Sequence, residues 1–120
     1  MVKYEVKMTG IGRDAVTYLE SNSSFILLNE KIRPALKDMV VEHTVSELAA
    51  DIVVGDKLKV GKSEFDVVKV GDAVNQNLRE EGHCTVVVNG EATMPGQIAV
   101  QGVRPPRLRF GNVIQFYNEE

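Results

Sequence analysis

Apolar and polar residues alternate from the first positions: Val2, Tyr4, Val6 and Met8 are separated by Lys3, Glu5 and Lys7. A period of two is the signature of a strand with one buried face. Phe25–Leu28 is a short apolar run and predicts a second strand, and the β-branched stretch Met39–Val45 a third. Lys57–Val60 and Glu64–Val70 flank Gly61-Lys62-Ser63 and predict a hairpin. Thr85–Val88, Gln97–Val100 and Val113–Tyr117 complete the set, with turn signals at Asn89-Gly90 and Pro95-Gly96. Helical signal is sparse. Asp72–Glu81 carries Asp72 as an N-cap and Gly82 as a C-cap, and Asp14–Leu19 is a weaker segment. Short, closely spaced strands with little helix predict an all-β fold: a small closed or partly closed antiparallel barrel with one or two short helices.

The pattern also repeats. Gly12-Arg13-Asp14-Ala15-Val16, Leu19 and the apolar run ending at Asn29 are echoed by Gly71-Asp72-Ala73-Val74, Leu78 and the run ending at Asn89. Gly55-Asp56-Lys57-Leu58 is echoed by Gly111-Asn112-Val113-Ile114. Near-constant offsets in matching order suggest two half-barrels related by a pseudo-two-fold axis, with Asp14 matching Asp72 through the shared Asp-Ala-Val.

Composition narrows the function classes. The chain has 120 residues, one domain's worth spanning 1–120, without linker or low-complexity segment. A net charge of −3 argues against nucleic acid, whose binders concentrate Lys and Arg on one surface. Arg104, Arg107 and Arg109, interleaved with Pro105 and Pro106, read as a solvated loop. Cys84 is the single cysteine, so no internal disulfide forms. There is no signal-peptide core, and no apolar run approaches the ~18 residues of a membrane span. The expectation is a cytoplasmic protein that is not membrane-embedded.

The two histidines, His43 and His83, are the candidate nucleophiles. His43 lies in Val40-Val41-Glu42-His43-Thr44-Val45. Alternation puts Val41, His43 and Val45 on one face, so the ring is either packed in the core or set in an apolar surface patch. His83 follows Gly82 at the head of a strand, where a surface or turn role is the simpler reading. His43, His83 and Cys84 match no zinc spacing. No nucleophile elbow or phosphate-cradling glycine loop is present. No metal and no cofactor is expected.

"VVEHTVSEL", "VGDKLKVG", "VGDAVNQNLREEGHCTVVVNG" and "MPGQIAVQG", taken in that order, resemble the glucitol/sorbitol-specific IIA family of the sugar phosphotransferase system. The similarity also takes in Ile11-Gly12 and so covers nearly the whole chain. Its most specific blocks are Asn77-Leu78-Arg79-Glu80 with Gly82-His83 and Thr85, and Pro95-Gly96. The resemblance implies a β-barrel phosphocarrier with His43 as the covalent site and Glu47-Leu48 following it. His83 and Thr44 are the supporting candidates, Thr44 or a backbone N–H donating to phosphoryl oxygens. A second histidine, two residues after the first in a family member, is replaced here by Val45. The implied partners are the general histidine phosphocarrier protein and the membrane permease components IIB and IIC; self-association stays open. The rival reading is a non-catalytic β-barrel binding module that keeps the fold and has lost the transfer.

Overall fold

Among the described residues, eight strands and two short helices form in the order β1 (Val2–Ile11), α1 (Ala15–Asn22), β2 (Ser24–Asn29), β3 (Val41–His43), β4 (Lys57–Val60), β5 (Ser63–Val70), α2 (Val74–Glu81), β6 (Cys84–Val88), β7 (Gln97–Gln101) and β8 (Val113–Tyr117). The computed structural model describes residues 1–119. The strands close into one barrel, ordered β1-β3-β2-β6-β7-β5-β4-β8. The alternating residues of β1 that read as apolar (Tyr4, Val6, Met8) line its interior with Phe25, Leu27, Leu58, Phe65, Val86, Ile98, Ile114 and Phe116. Closure leaves no sheet edge unpaired and buries one face of every strand.

Most neighbours are antiparallel, but β2–β3 and β6–β7 are parallel. A parallel pair needs a crossover. Residues 30–40 supply the first, passing through a 3₁₀ turn at Pro34–Leu36. Residues 89–96 supply the second, beginning at Asn89 with φ +56°. Asn89 therefore starts a crossover and not a hairpin.

The two-fold repeat is present, and its register is one residue from the "Asp-Ala-Val" match. β1 pairs with β3 through Met8↔His43 and Ile11↔Val41; β5 pairs with β7 through Val67↔Val100 and Val70↔Ile98. Both ladders carry an irregularity at the same point. The parallel pairs repeat it, Leu27↔Val41 against Val86↔Ile98. β1, α1 and β2 thus map onto β5, α2 and β6 at an offset of 59 (Met8 to Val67, Leu27 to Val86). β8 maps onto β4 at an offset of 56, Val6↔Ile114 corresponding to Phe65↔Leu58. Asp14 accordingly matches Ala73 and not Asp72. The true markers are Gly12 and Gly71, whose N–H groups donate to Val40 O and Gln97 O at 2.9 Å each. A Cβ on Gly12 would lie 2.4 Å from Asp38 O, and one on Gly71 2.2 Å from Pro95 O.

Helix boundaries differ from the sequence reading for a related reason. α2 starts at Val74 behind Ala73, and no side chain caps it, Asp72 included. Its amino-terminal turn is held by backbone instead: Ala73 N–H donates to Pro95 O. Gly82 does end the helix, in the left-handed region at φ +62°. α1 runs three residues past Leu19 to Asn22 and ends at Ser23, φ +54°, the counterpart of Gly82.

Two long loops close the barrel ends. Residues 44–56 cover one end beside α2, with Ile52 buried as a plug. Asn75 holds Ile52 at both backbone groups, accepting from its N–H at 2.7 Å and donating to its carbonyl at 3.1 Å. A buried Lys3–Asp56 pair at 2.7 Å ties the loop to β1. Residues 102–112 cover the other end, with Arg104, Arg107 and Arg109 exposed to solvent.

Candidate functional site

His43 is the last residue of β3, and its side chain points into the barrel at the end covered by α2. It is fully buried. Of the two placements open from sequence, the packed core is found and the apolar surface patch is not. Val41 is buried between β1 and β2, and β3 stops at His43, so the alternation never reaches Val45. Val45 lies in the following loop and is 67% exposed. Beyond it, Val45, Ser46, Glu47, Leu48 and Arg79 line a shallow cleft of about 590 Å³ on the outer surface. Arg79 is paired there with Asp51 at 2.5 Å.

Both ring nitrogens of His43 face backbone carbonyls. Nδ1 lies 2.8 Å from Thr44 O and Nε2 lies 2.9 Å from Gly82 O. A neutral imidazole carries one N–H, so it donates to only one of the two. The Thr44 contact is made by the adjacent residue and travels with the ring. The Gly82 contact comes from the left-handed corner between α2 and β6, a separate element. The ring also meets Tyr4 edge-on, with centroids 6.2 Å apart and planes at 89°.

Thr44 serves the site through its carbonyl. Its hydroxyl accepts the N–H of Lys7 at 3.0 Å, and its own N–H donates to Lys7 O at 2.9 Å. The hydroxyl therefore belongs to the β1 seam and does not face the ring. His83 is half-buried next to Gly82, and its N–H closes the end of α2 on Asn77 O at 3.2 Å. It adjoins the corner over His43 through the backbone.

Sequence reasoning missed Asn29, which ends β2 directly beside His43 in the parallel ladder. It is 9% exposed, and its Oδ1 has no hydrogen-bond partner among the described residues. An Asn closing an apolar run looks like a turn residue; only the β2–β3 register carries it to the histidine. Tyr4, read as a core aromatic, also presents an unpartnered hydroxyl in the interior. Burial, with Cys84 nearby, pushes the Tyr4 hydroxyl up to about 12. Cys84 is fully buried, and that burial raises its thiol to about 12. Such a thiol stays protonated near neutral pH and is a poor nucleophile. Among the described residues, no group of three or more His, Cys, Asp or Glu side chains is placed to hold a metal. No helix among them is long and apolar enough to cross a membrane.

Residues 3–115 match the family model described as the PTS system glucitol/sorbitol-specific IIA component. The chain is 32% identical over 117 residues to the PTS system glucitol/sorbitol-specific EIIA component of Escherichia coli K12, spanning 96% of this chain and 94% of that one. The protein of the same description from Shigella flexneri is similar to the same extent. The crystal structure of a PTS system IIA component from Enterococcus faecalis V583 has the same fold, with a TM-score of 0.86 and 24% identity over 95% of this chain and 99% of that one.

Proposed function

Since the chain belongs to the glucitol/sorbitol-specific IIA family of the phosphotransferase system, we propose that it is a cytoplasmic phosphocarrier whose covalent site is His43. It takes a phosphoryl group from the phosphohistidine of the general carrier protein and yields it to the cysteine of a sugar-specific IIB component during uptake of a glucitol-type sugar. The observation that carries the residue assignment is the asymmetric hold on the ring. Nδ1 is engaged by the neighbouring Thr44 carbonyl, and Nε2 is covered only by the corner at Gly82. With its one proton on Nδ1, the ring keeps the Nε2 lone pair for phosphorus. The N–P bond at His43 forms as the donor's N–P bond breaks, and the donor imidazole leaves with that electron pair. Transfer to the thiolate repeats the exchange and returns His43 to its starting form. A loose transition state asks for positioning and charge neutralisation, not for a cofactor.

Burial sets a condition on this chemistry. The α2–β6 corner must move off Nε2 before a donor can reach it; the nearest cleft along the chain, at Val45–Leu48 and Arg79, begins two residues after His43. The same burial favours the rival reading, in which the barrel is a binding module with a structural histidine. One experiment separates them. The protein is incubated with phosphoenolpyruvate, the first enzyme of the system and the general carrier, then digested at alkaline pH, where phosphohistidine survives. A mass gain of one phosphoryl group on the His43 peptide supports the carrier. Label on the His83 peptide overturns the residue assignment, and no label on either supports the module.

A further inference from the structure

The pseudo-two-fold provides an internal control for the site. His43, Asn29 and Gly82 map onto Val100, Val88 and Ser23 of the other half. There the barrel closes with two valines, and Ser23 O accepts the backbone N–H of Val88 at 2.7 Å. At the His43 end the equivalent carbonyl, Gly82 O, lies 2.9 Å from His43 Nε2 instead. The fold can thus close this position with two valines, and the polar pair His43 and Asn29 departs from that solution together. Asn29 is its costly member. A buried polar atom without a partner is costly, and such an atom in a folded protein calls for an explanation. Its Oδ1 crowds the same spot as the ring: a Cβ built on Gly82 would lie 2.1 Å from Asn29 Oδ1 and 2.7 Å from His43 Cε1. Glycine keeps that spot open between the amide and the nucleophile.

We propose that Asn29 is a second catalytic residue, whose side-chain amide donates Nδ2–H to an oxygen of the phosphoryl group carried on His43 Nε2. The inference rests on the phosphocarrier reading. A half-turn of the amide exchanges oxygen for nitrogen at the same volume, so the group can face the empty ring with its acceptor and the phosphorylated ring with its donor. It fills the role assigned from sequence to the Thr44 hydroxyl, which the β1 seam occupies. A neutral donor also suits a group that must leave again. It stabilises charge spread over the phosphoryl oxygens without the tight ion pair that an arginine would form.

The test compares Asn29→Val, Asn29→Asp and wild type in phosphoryl acceptance from the phosphorylated general carrier. Asn29→Val places at this position the side chain that the other half already tolerates, and Asn29→Asp keeps the shape while removing the donor. Each should lower kcat by about 10-fold to 1,000-fold, the range for losing one transition-state donor. KM for the carrier should stay within about two-fold, and Asn29→Asp should be the slower because its carboxylate repels the phosphoryl group. In wild type, the Asn29 side-chain amide protons followed by NMR should shift on phosphorylation. Wild-type kcat in both variants, or an amide signal unmoved by phosphorylation of His43, overturns the role of Asn29 and leaves the carrier reading standing. Absence of label on wild-type His43 overturns both. If Asn29→Val fails to fold, Asn29→Asp and the NMR measurement still decide.

Discussion

Two carbonyl oxygens flank the ring of His43, and only one belongs to a neighbour in sequence. The resemblance to the family singled out the histidine as the candidate, and local alternation correctly placed it on the same face as buried Val41. It could not reveal the lid, because Gly82 reaches the ring from an element 39 residues away. His83 follows Gly82, and the hydrogen bond it makes there comes from its backbone N–H, so His83→Gln should slow phosphoryl acceptance by less than about 10-fold, whereas His43→Gln should abolish it in a folded protein. Stopped-time labelling of both variants checks the contrast. Cys84 should be dispensable: Cys84→Ala keeps acceptance within a few-fold, and the native thiol should resist alkylation at neutral pH. Its raised value has a stability consequence with a definite sign. Between pH 9 and about 12 the unfolded chain loses the thiol proton while the folded chain keeps it. Tyr4 adds the same effect from pH 10 upward. Each group then lowers stability by as much as about 1.4 kcal/mol per pH unit. Alkaline denaturation should be visible in urea melts over that window, and Cys84→Ala should blunt it.

Among the elements, those defined by alternation and turn chemistry were legible: β4 and β8 begin and end where the sequence places them. β3 was not, and the reason is geometric. Met39–Val45 has the composition of a seven-residue strand, but only Val41–His43 is clasped on both sides, by β1 and β2. After Thr44 the chain must leave the wall to cover the barrel end, a requirement no local preference records. The α2 start was misplaced because a backbone carbonyl of the β6–β7 crossover, Pro95 O, does the work assigned to an Asp72 side chain. Gly71 permits that close approach. Gly71→Ala would drive a methyl into the Pro95 carbonyl, which backbone cannot readily yield. A loss of about 1–3 kcal/mol is expected, seen as a melting midpoint lowered by several degrees. Lys3→Ala should cost more, about 3–5 kcal/mol, because it leaves the Asp56 carboxylate buried without its cation. Urea unfolding of the two variants side by side tests that order.

Over the whole molecule, the repeat was visible as recurring glycines and leucines, and its register was obscured by a chance Asp-Ala-Val. Tripeptides are weak evidence where ladders decide: Met8↔His43 against Val67↔Val100 sets the match at once. The halves are also permuted in sequence. One reads β4-β5-α2-β6-β7 without a break; its mate takes β8 from the far end of the chain and joins it to β1-α1-β2-β3. Met1 and Asn118 are hydrogen-bonded neighbours, so a short linker could span them. A circular permutant joined there and opened within the exposed loop at Arg104–Arg109 should fold to the same barrel. Circular dichroism and thermal melts matching the parent would support this equivalence, and an unfolded permutant would refute it.

The placement of β8 also bears on how the protein is made. β8 lies between β1 and β4 and pairs with both, yet it follows the other seven strands in chain order. Until it is made, β1 and β4 each present an open edge, one the first of the eight strands and the other the fourth. Once β7 has joined β6 to β5, the sheet stands unclosed with two sticky margins, and only the arrival of Val113–Tyr117 seals both at a stroke.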